Sequence, residues 1–260
     1  EEQVISFYCV TNGYFDDVPN EKVRVFEKDL IEAIRNDCRT QHEEAVLNNI
    51  QFMEAVHAKS YSSIFSTLNT KKEIEDIFDW TNNNEYLQKK AKIINEVYER
   101  GSALEKKVAS VFLESFLFYS GFFTPLYYLG NNKMANVAEI IKLIIRDESV
   151  HGTYIGYKFQ LGFNELPEEE QTKIRDWLYE LLFELYENEE QYTEMLYDEL
   201  GWTDEVKTFL RYNANKALMN LGQDPLFPDS SEDVNPIVMN GISTGTSNHD
   251  FFSQVGNGYL

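Results

Sequence analysis

The chain has 260 residues, 43% of them hydrophobic and 14% aromatic, which is enough apolar material for one large core or two modest ones and too much for intrinsic disorder. Its 44 acidic residues against 23 basic ones leave a net charge of -21, which excludes a surface built to neutralise phosphates, so no nucleic-acid partner is expected. The two cysteines, Cys9 and Cys38, make neither a disulfide framework nor a zinc spacing, and no basic stretch followed by an apolar one opens the chain, so the reducing cytoplasm is the expected compartment.

A short mixed segment over 1–20 comes first, followed by helical spacing over 21–36, 42–68, 71–80, 85–99, 102–129, 133–161, 167–200 and 203–221. Ala45, Ile50, Met53, Val56 and Ile64 recur at helical intervals in one segment, and Trp177, Leu178, Leu181, Leu182 and Leu185 in another. Strand-like alternation is nearly absent, so the expected fold is an all-α bundle. The longest apolar tract, Val108 to Gly130, approaches the length of a membrane span. It nevertheless contains Glu114, Ser110, Ser115, Ser120 and Pro125 between charged amphipathic flanks, which favours a buried central helix and no membrane.

Pro167 followed by Glu168, Glu169 and Glu170 marks a helix start, with carboxylates at the positive end of the dipole, and that helix is predicted to run to about Leu200. The acidic run Glu184 to Glu190 reads as a solvated face. From Gln223 the composition turns to Pro, Asn, Ser and Gly, which predicts an extended, loosely held tail over 223–260.

Two of the four histidines sit in the same pattern, Glu54-Ala55-Val56-His57 and Glu148-Ser149-Val150-His151. Positions i and i+3 share a helix face, so each pair can present a carboxylate oxygen and an imidazole nitrogen to one point. Glu114 stands alone in an apolar helix, and a buried carboxylate is costly unless a cation neutralises it. Ferritin-like di-iron and di-manganese proteins combine one Glu from each of two helices with Glu-x-x-His from each of two others. Mixed oxygen and nitrogen ligands suit iron or manganese better than zinc. The plainer reading, satisfied core histidines and a hydrogen-bonded buried acid, would have to hold for five residues together. Tyr61 continues the stripe of Glu54 and His57 at i+7, beside any metals held there. Phe118 and Phe122 extend the Glu114 face, either as a dry wall around that phenol or as ordinary core.

Four runs resemble the small, radical-generating subunit of class Ib ribonucleotide reductase. They are His42 to Phe65, Leu113 to Phe122 (Leu-Glu-Ser-Phe-Leu-Phe-Tyr-Ser-Gly-Phe), Ile145 to Gly152 (Ile-Arg-Asp-Glu-Ser-Val-His-Gly) and Tyr212 to Gly222. The likeness covers about residues 37–260, in family order. It implies a ferritin-like bundle with a dinuclear manganese or iron cofactor, liganded by Glu54, His57, Glu114, Glu148 and His151, with Glu54 and Glu148 bridging. It implies that Tyr61 holds a stable radical formed with dioxygen, or with superoxide from a flavodoxin-like activator. That radical would serve a large subunit that reduces ribonucleoside diphosphates. Asp147 matches the carboxylate that couples a metal-site histidine to the transfer path, and Tyr259 matches the tail tyrosine that relays the radical. A homodimer is implied as well.

The chain departs from this pattern in several places. The family's aspartate ligand, about nineteen residues before the position of His42, is replaced by Val23, and Asp29 or Glu32 would need a register shift to substitute for it. Residues 1–36 resemble instead the C-terminal region of the ATP synthase alpha subunit, in Glu1 to Val4, Asn12 to Pro19, Glu21 to Arg24 and Phe26 to Lys28. They carry no nucleotide-binding loop, so no ATPase activity is expected, and the family's N-terminal tryptophan goes with the replaced segment. One residue follows Tyr259, so the acidic tail end that docks the large subunit is not present. The expected organisation is a foreign-looking segment 1–36, a di-metal bundle 37–222 and a tail 223–260. Two other functions stay open: a ferritin-like di-metal oxidase in which Tyr61 is structural, and a catalytically impaired scaffold lacking the first aspartate.

Overall fold

A computed structural model describes residues 38–242, and among these there are helices and turns but no strand. The first long helix, α1 (Gln41–Leu68), starts where the Thr40 hydroxyl accepts from the Glu43 amide. The next two junctions are as local. Thr70 and Glu73 form a reciprocal capping box for α2 (Lys71–Asn83), and Asn84 caps α3 (Glu85–Arg100) by accepting from the Leu87 amide at 3.0 Å. A second capping box, Ser102 with Glu105, opens α4 (Ala103–Phe112).

The apolar tract is not one regular helix. After α4 the backbone widens into a π-helical turn, Leu113–Leu117, and then resumes as α5 (Tyr119–Gly130), which tolerates Pro125 inside it. By length and composition Ala103–Gly130 could cross a membrane, but 72% of its most apolar window is buried inside the bundle. Val108, Val111, Phe112, Phe116 and Phe123 are fully buried in the core. Burial of each such side chain contributes about 1.5–3 kcal/mol, so the protein itself supplies the apolar environment the tract requires.

Around this central rod pack α6 (Ala135–Phe163), α7 (Glu168–Tyr197) and α8 (Thr203–Asn220), with α1 lying along α6 and α3 along α7. Phe159 from α6, Leu178 and Leu182 from α7, and Phe209 and Leu210 from α8 complete the interior. Helix α7 starts directly after Pro167, and its regular part stops at Tyr197, with a tighter turn over Asp198–Leu200. A partly buried ion pair, Lys158 Nζ to Glu43 Oε2 at 2.8 Å, ties α6 to α1.

Two expectations are corrected. The acidic run on α7 is not uniformly solvated, because Glu189 is 0% exposed. The segment after Gln223 is not loose throughout. Its backbone is tied to α8 through Asn215, whose side-chain oxygen accepts from the amides of Leu226 and Phe227 at 2.9 Å, and through the Arg211–Asp229 pair at 2.7 Å. Val234 and Val238 are then buried, and α9 (Pro236–Ile242) lies on α5. Composition missed this because the partners lie on a helix eleven or more residues away. The predicted elements over 1–36, with Val23, Asp29 and Glu32, fall outside the described residues, as does Tyr259.

Candidate metal centre

The bundle brings both Glu-x-x-His faces and Glu114 to one buried point. α1 contributes Glu54 and His57, the π-turn contributes Glu114, and α6 contributes Glu148 and His151. One ligand atom each from Glu54, Glu114, Glu148 and His151 lies within 4.8 Å of the others. His57 joins them through Nδ1, 3.1 Å from Glu148 Oε1. The two imidazole rings stand 5.9 Å apart. His57, Glu148 and His151 are each 3% exposed and Glu114 is 7% exposed, so this is an interior site.

The two Glu-x-x-His glutamates span both histidines. Glu54 places Oε2 3.6 Å from His57 Nδ1 and Oε1 3.0 Å from His151 Nδ1. Glu148 does the same, with Oε1 at 3.1 Å from His57 Nδ1 and Oε2 at 3.0 Å from His151 Nδ1. Glu114 Oε2 is farther out, 3.9 Å from His151 Nδ1.

The electrostatics follow from this crowding. Burial, reinforced by the charges of Glu148 and Glu54, pushes the Glu114 carboxyl well above its ordinary value. At Glu148 burial pushes the same way, but hydrogen bonds from His151 and His57 outweigh it and hold the carboxyl low. Burial pulls both imidazoles down, yet hydrogen bonds to the surrounding carboxylates win. His57 is raised to about 10 by Glu148 and Glu54, and His151 to about 12 by Glu114, Glu148 and Glu54. A field that holds protons on two buried imidazoles is one that draws cations.

The donor set also fits a metal on its unmet valences. Glu54 Oε1, His57 Nδ1 and Glu114 Oε2 are buried and make no well-aligned hydrogen bond, although each lies 3.0–3.9 Å from an opposite partner at the centre. Three carboxylates and two imidazoles, with no thiolate, suit iron or manganese rather than a closed zinc site. Among the described residues, five side chains are thus placed where they could hold metal.

Asp147 stands behind the centre. Its Oδ2 lies 3.2 Å from His57 Nε2, the ring nitrogen turned away from the carboxylates. Tyr61, one turn after His57 on α1, is partly buried and packs against the core. The Phe118 and Phe122 rings are 6.1 Å apart on the continuation of the Glu114 face. Sequence reasoning missed the π-turn that carries Glu114, and it missed Lys90 and Glu189, a buried ion pair at 2.6 Å next to that turn. A lysine in α3 and a glutamate in an acidic run look like surface residues, so no sequence signal marked them.

Comparison with known proteins agrees with this geometry. The family model for the ribonucleotide reductase small chain matches residues 21–236. The matched range takes in residues 21–36 as well. Ribonucleoside-diphosphate reductase subunit beta nrdF2 of Mycobacterium tuberculosis is 56% identical over 225 residues, 86% of this chain and 69% of that relative. Ribonucleoside-diphosphate reductase 2 subunit beta of Escherichia coli is 53% identical over 229 residues, 88% of this chain and 72% of that relative. The crystal structure of dimanganese(II)-NrdF from Streptococcus sanguinis superposes with a TM-score of 0.82 at 73% identity, covering 93% of this chain and 81% of that one. A Bacillus halodurans structure at 22% identity and a TM-score of 0.70 shares the fold. A family match over most of the chain, relatives more than half identical across it, and a solved structure that superposes on the helical bundle lead to one conclusion: this chain belongs to the ribonucleotide reductase small-chain family.

Proposed function

We propose that this chain is the radical-generating subunit of a class Ib ribonucleotide reductase, with Glu54, His57, Glu114, Glu148 and His151 holding a dinuclear manganese or iron centre and Tyr61 carrying the radical. The observation that carries this reading is the convergence of three carboxylates and two imidazoles with unmet buried valences. Glu54 and Glu148 each offer one oxygen toward each histidine, which supports them as bridging ligands. The dimanganese(II) state of the Streptococcus sanguinis protein favours manganese. Bound there and oxidised by dioxygen or superoxide, such a pair of ions would supply the chemistry that takes an electron from a phenol as its proton leaves.

The chain's own residues do the rest. The centre is buried, which keeps bulk water from the reacting groups. Asp147 holds His57 in one orientation through Nε2. Tyr61 stands one helical turn beyond His57, within the same stripe. The proposed partners are a second copy of this chain, the large subunit reached through Tyr259, and a flavodoxin-like activator, in the cytoplasm.

The test is electron paramagnetic resonance after loading with manganese or iron and adding oxidant. A tyrosyl signal that disappears in Tyr61→Phe is expected, and a fully metallated protein that never forms one overturns the reading. Val23 favours a second reading, a scaffold that binds one ion or none because the first carboxylate is gone. Metal analysis separates the two, since two ions per chain support the reductase and one or fewer support the scaffold.

A further inference from the structure

The turn that carries Glu114 is irregular, and irregular backbone inside a core needs partners for the groups it frees. In a regular α-helix the Gly121 amide would donate to the Leu117 carbonyl. Here it donates to Phe118 at 3.1 Å instead, and the Leu117 carbonyl accepts from Lys90 Nζ at 3.4 Å. Lys90 comes from α3, and its ammonium is 2.6 Å from Glu189 of α7, whose side chain is 0% exposed. The other Glu189 oxygen accepts from the Ser120 hydroxyl at 2.9 Å, in the first turn of α5. The Tyr197 hydroxyl donates to the Ser120 carbonyl at 2.7 Å. The lysine stands 5.2 Å over the Tyr192 ring.

Stability alone does not explain this pair. Removing two charges from water is expensive, and replacing a buried ion pair by apolar residues of similar volume is often neutral or stabilising. What apolar residues cannot do is donate to the Leu117 carbonyl and accept from Ser120 at the same time. Those two groups bracket the end of the π-turn, and Glu114 lies three residues before Leu117 in the same turn.

We propose that the Lys90–Glu189 pair is a positioning device for the metal centre: it braces the C-terminal end of the π-turn and thereby sets where the Glu114 carboxylate stands. The consequence for metal binding rests on the function proposed above, whereas the brace itself does not. Lys90 and Glu189 are positioning residues, acting through the backbone of Leu117 and Ser120.

The experiment uses the full chain carrying Lys90→Met with Glu189→Met, which removes both charges and keeps the volume, and Ser120→Ala, which removes one hydroxyl. Amide hydrogen exchange over residues 113–121 of the metal-free protein is compared with exchange over 206–218 of α8, and manganese(II) binding is titrated. In the double variant, exchange across the π-turn is expected to rise about tenfold or more while α8 stays unchanged. The weaker of two manganese(II) sites is expected to lose about 10- to 100-fold in affinity. Ser120→Ala is expected to raise exchange in the same segment roughly two- to tenfold, the effect of one hydrogen bond, and it serves if the double variant does not fold. Unchanged exchange over 113–121 overturns the brace, as does a rise shared equally by α8. If the unsubstituted chain takes up no manganese while the variants still exchange faster at the π-turn, the brace stands and the metal-centre reading fails.

Discussion

Asp147 Oδ2 lies 3.2 Å from His57 Nε2, while Nδ1 of the same ring faces Glu148 at 3.1 Å. A neutral imidazole bonded in this way donates from Nε2 to the aspartate and keeps the Nδ1 lone pair for the centre. Asp147→Asn can offer an amide N–H to Nε2 and so favour the opposite tautomer. The expected result is a 10- to 100-fold loss of manganese affinity with little change in melting temperature, read by titration calorimetry. An isotherm identical to that of the parent chain would show that something other than Asp147 orients the ring.

Glu114→Gln separates stability from ligation. Burial and the charges of Glu148 and Glu54 push this carboxyl well above its usual range, which favours its neutral form. A glutamine of the same shape should shift metal-free stability by less than about 1 kcal/mol. Metal content after loading should fall from two ions per chain to about one, as measured by elemental analysis.

Metal uptake should release protons. At pH 7 the metal-free centre holds His57 and His151 as imidazolium, since their values are raised to about 10 and about 12. Ligation needs neutral imidazole and ionised carboxylate. The two imidazole protons must therefore leave, and apparent affinity should rise as pH increases from 6 to 9, where protons compete less well. Calorimetry in two buffers of different ionisation enthalpy counts the protons, and a buffer-independent enthalpy would contradict the expectation.

α6 and α8 approach closely at Gly156, where a Cβ would run into the carbonyl of Asn220. Backbone cannot swing aside as a side-chain tip can. Gly156→Ala should destabilise the fold by about 1–3 kcal/mol through overpacking. At this chain length that is a drop of several degrees, since each kcal/mol moves the midpoint by about 2–4 °C. Gly152, whose Cβ would meet the Ser115 hydroxyl, is the milder companion variant, because that hydroxyl can rotate.

Much of the centre was legible before any coordinates. The Glu54–His57 and Glu148–His151 spacing places two donors on one helix face whatever surrounds it, and Glu114 stands out as a charge in an apolar run. Helix starts are as local, because Thr40, Thr70, Asn84 and Ser102 each cap an amide three residues away. The order of 223–242 was not readable, since Asn215 and Arg211 hold it from another helix.

The sequence by itself determined the helical class and singled out the five candidate donors, because helical periodicity, the Glu-x-x-His spacing and a lone charge in an apolar run are all local patterns. Only the tertiary structure decided that the donors meet within a few ångströms, that the central tract opens into a π-turn, and that Lys90 and Glu189 lie inside rather than on the surface. Those outcomes depend on which faces of distant helices pack together. A charged side chain is inside or outside according to the partner that meets it, and that partner is not its neighbour in the chain.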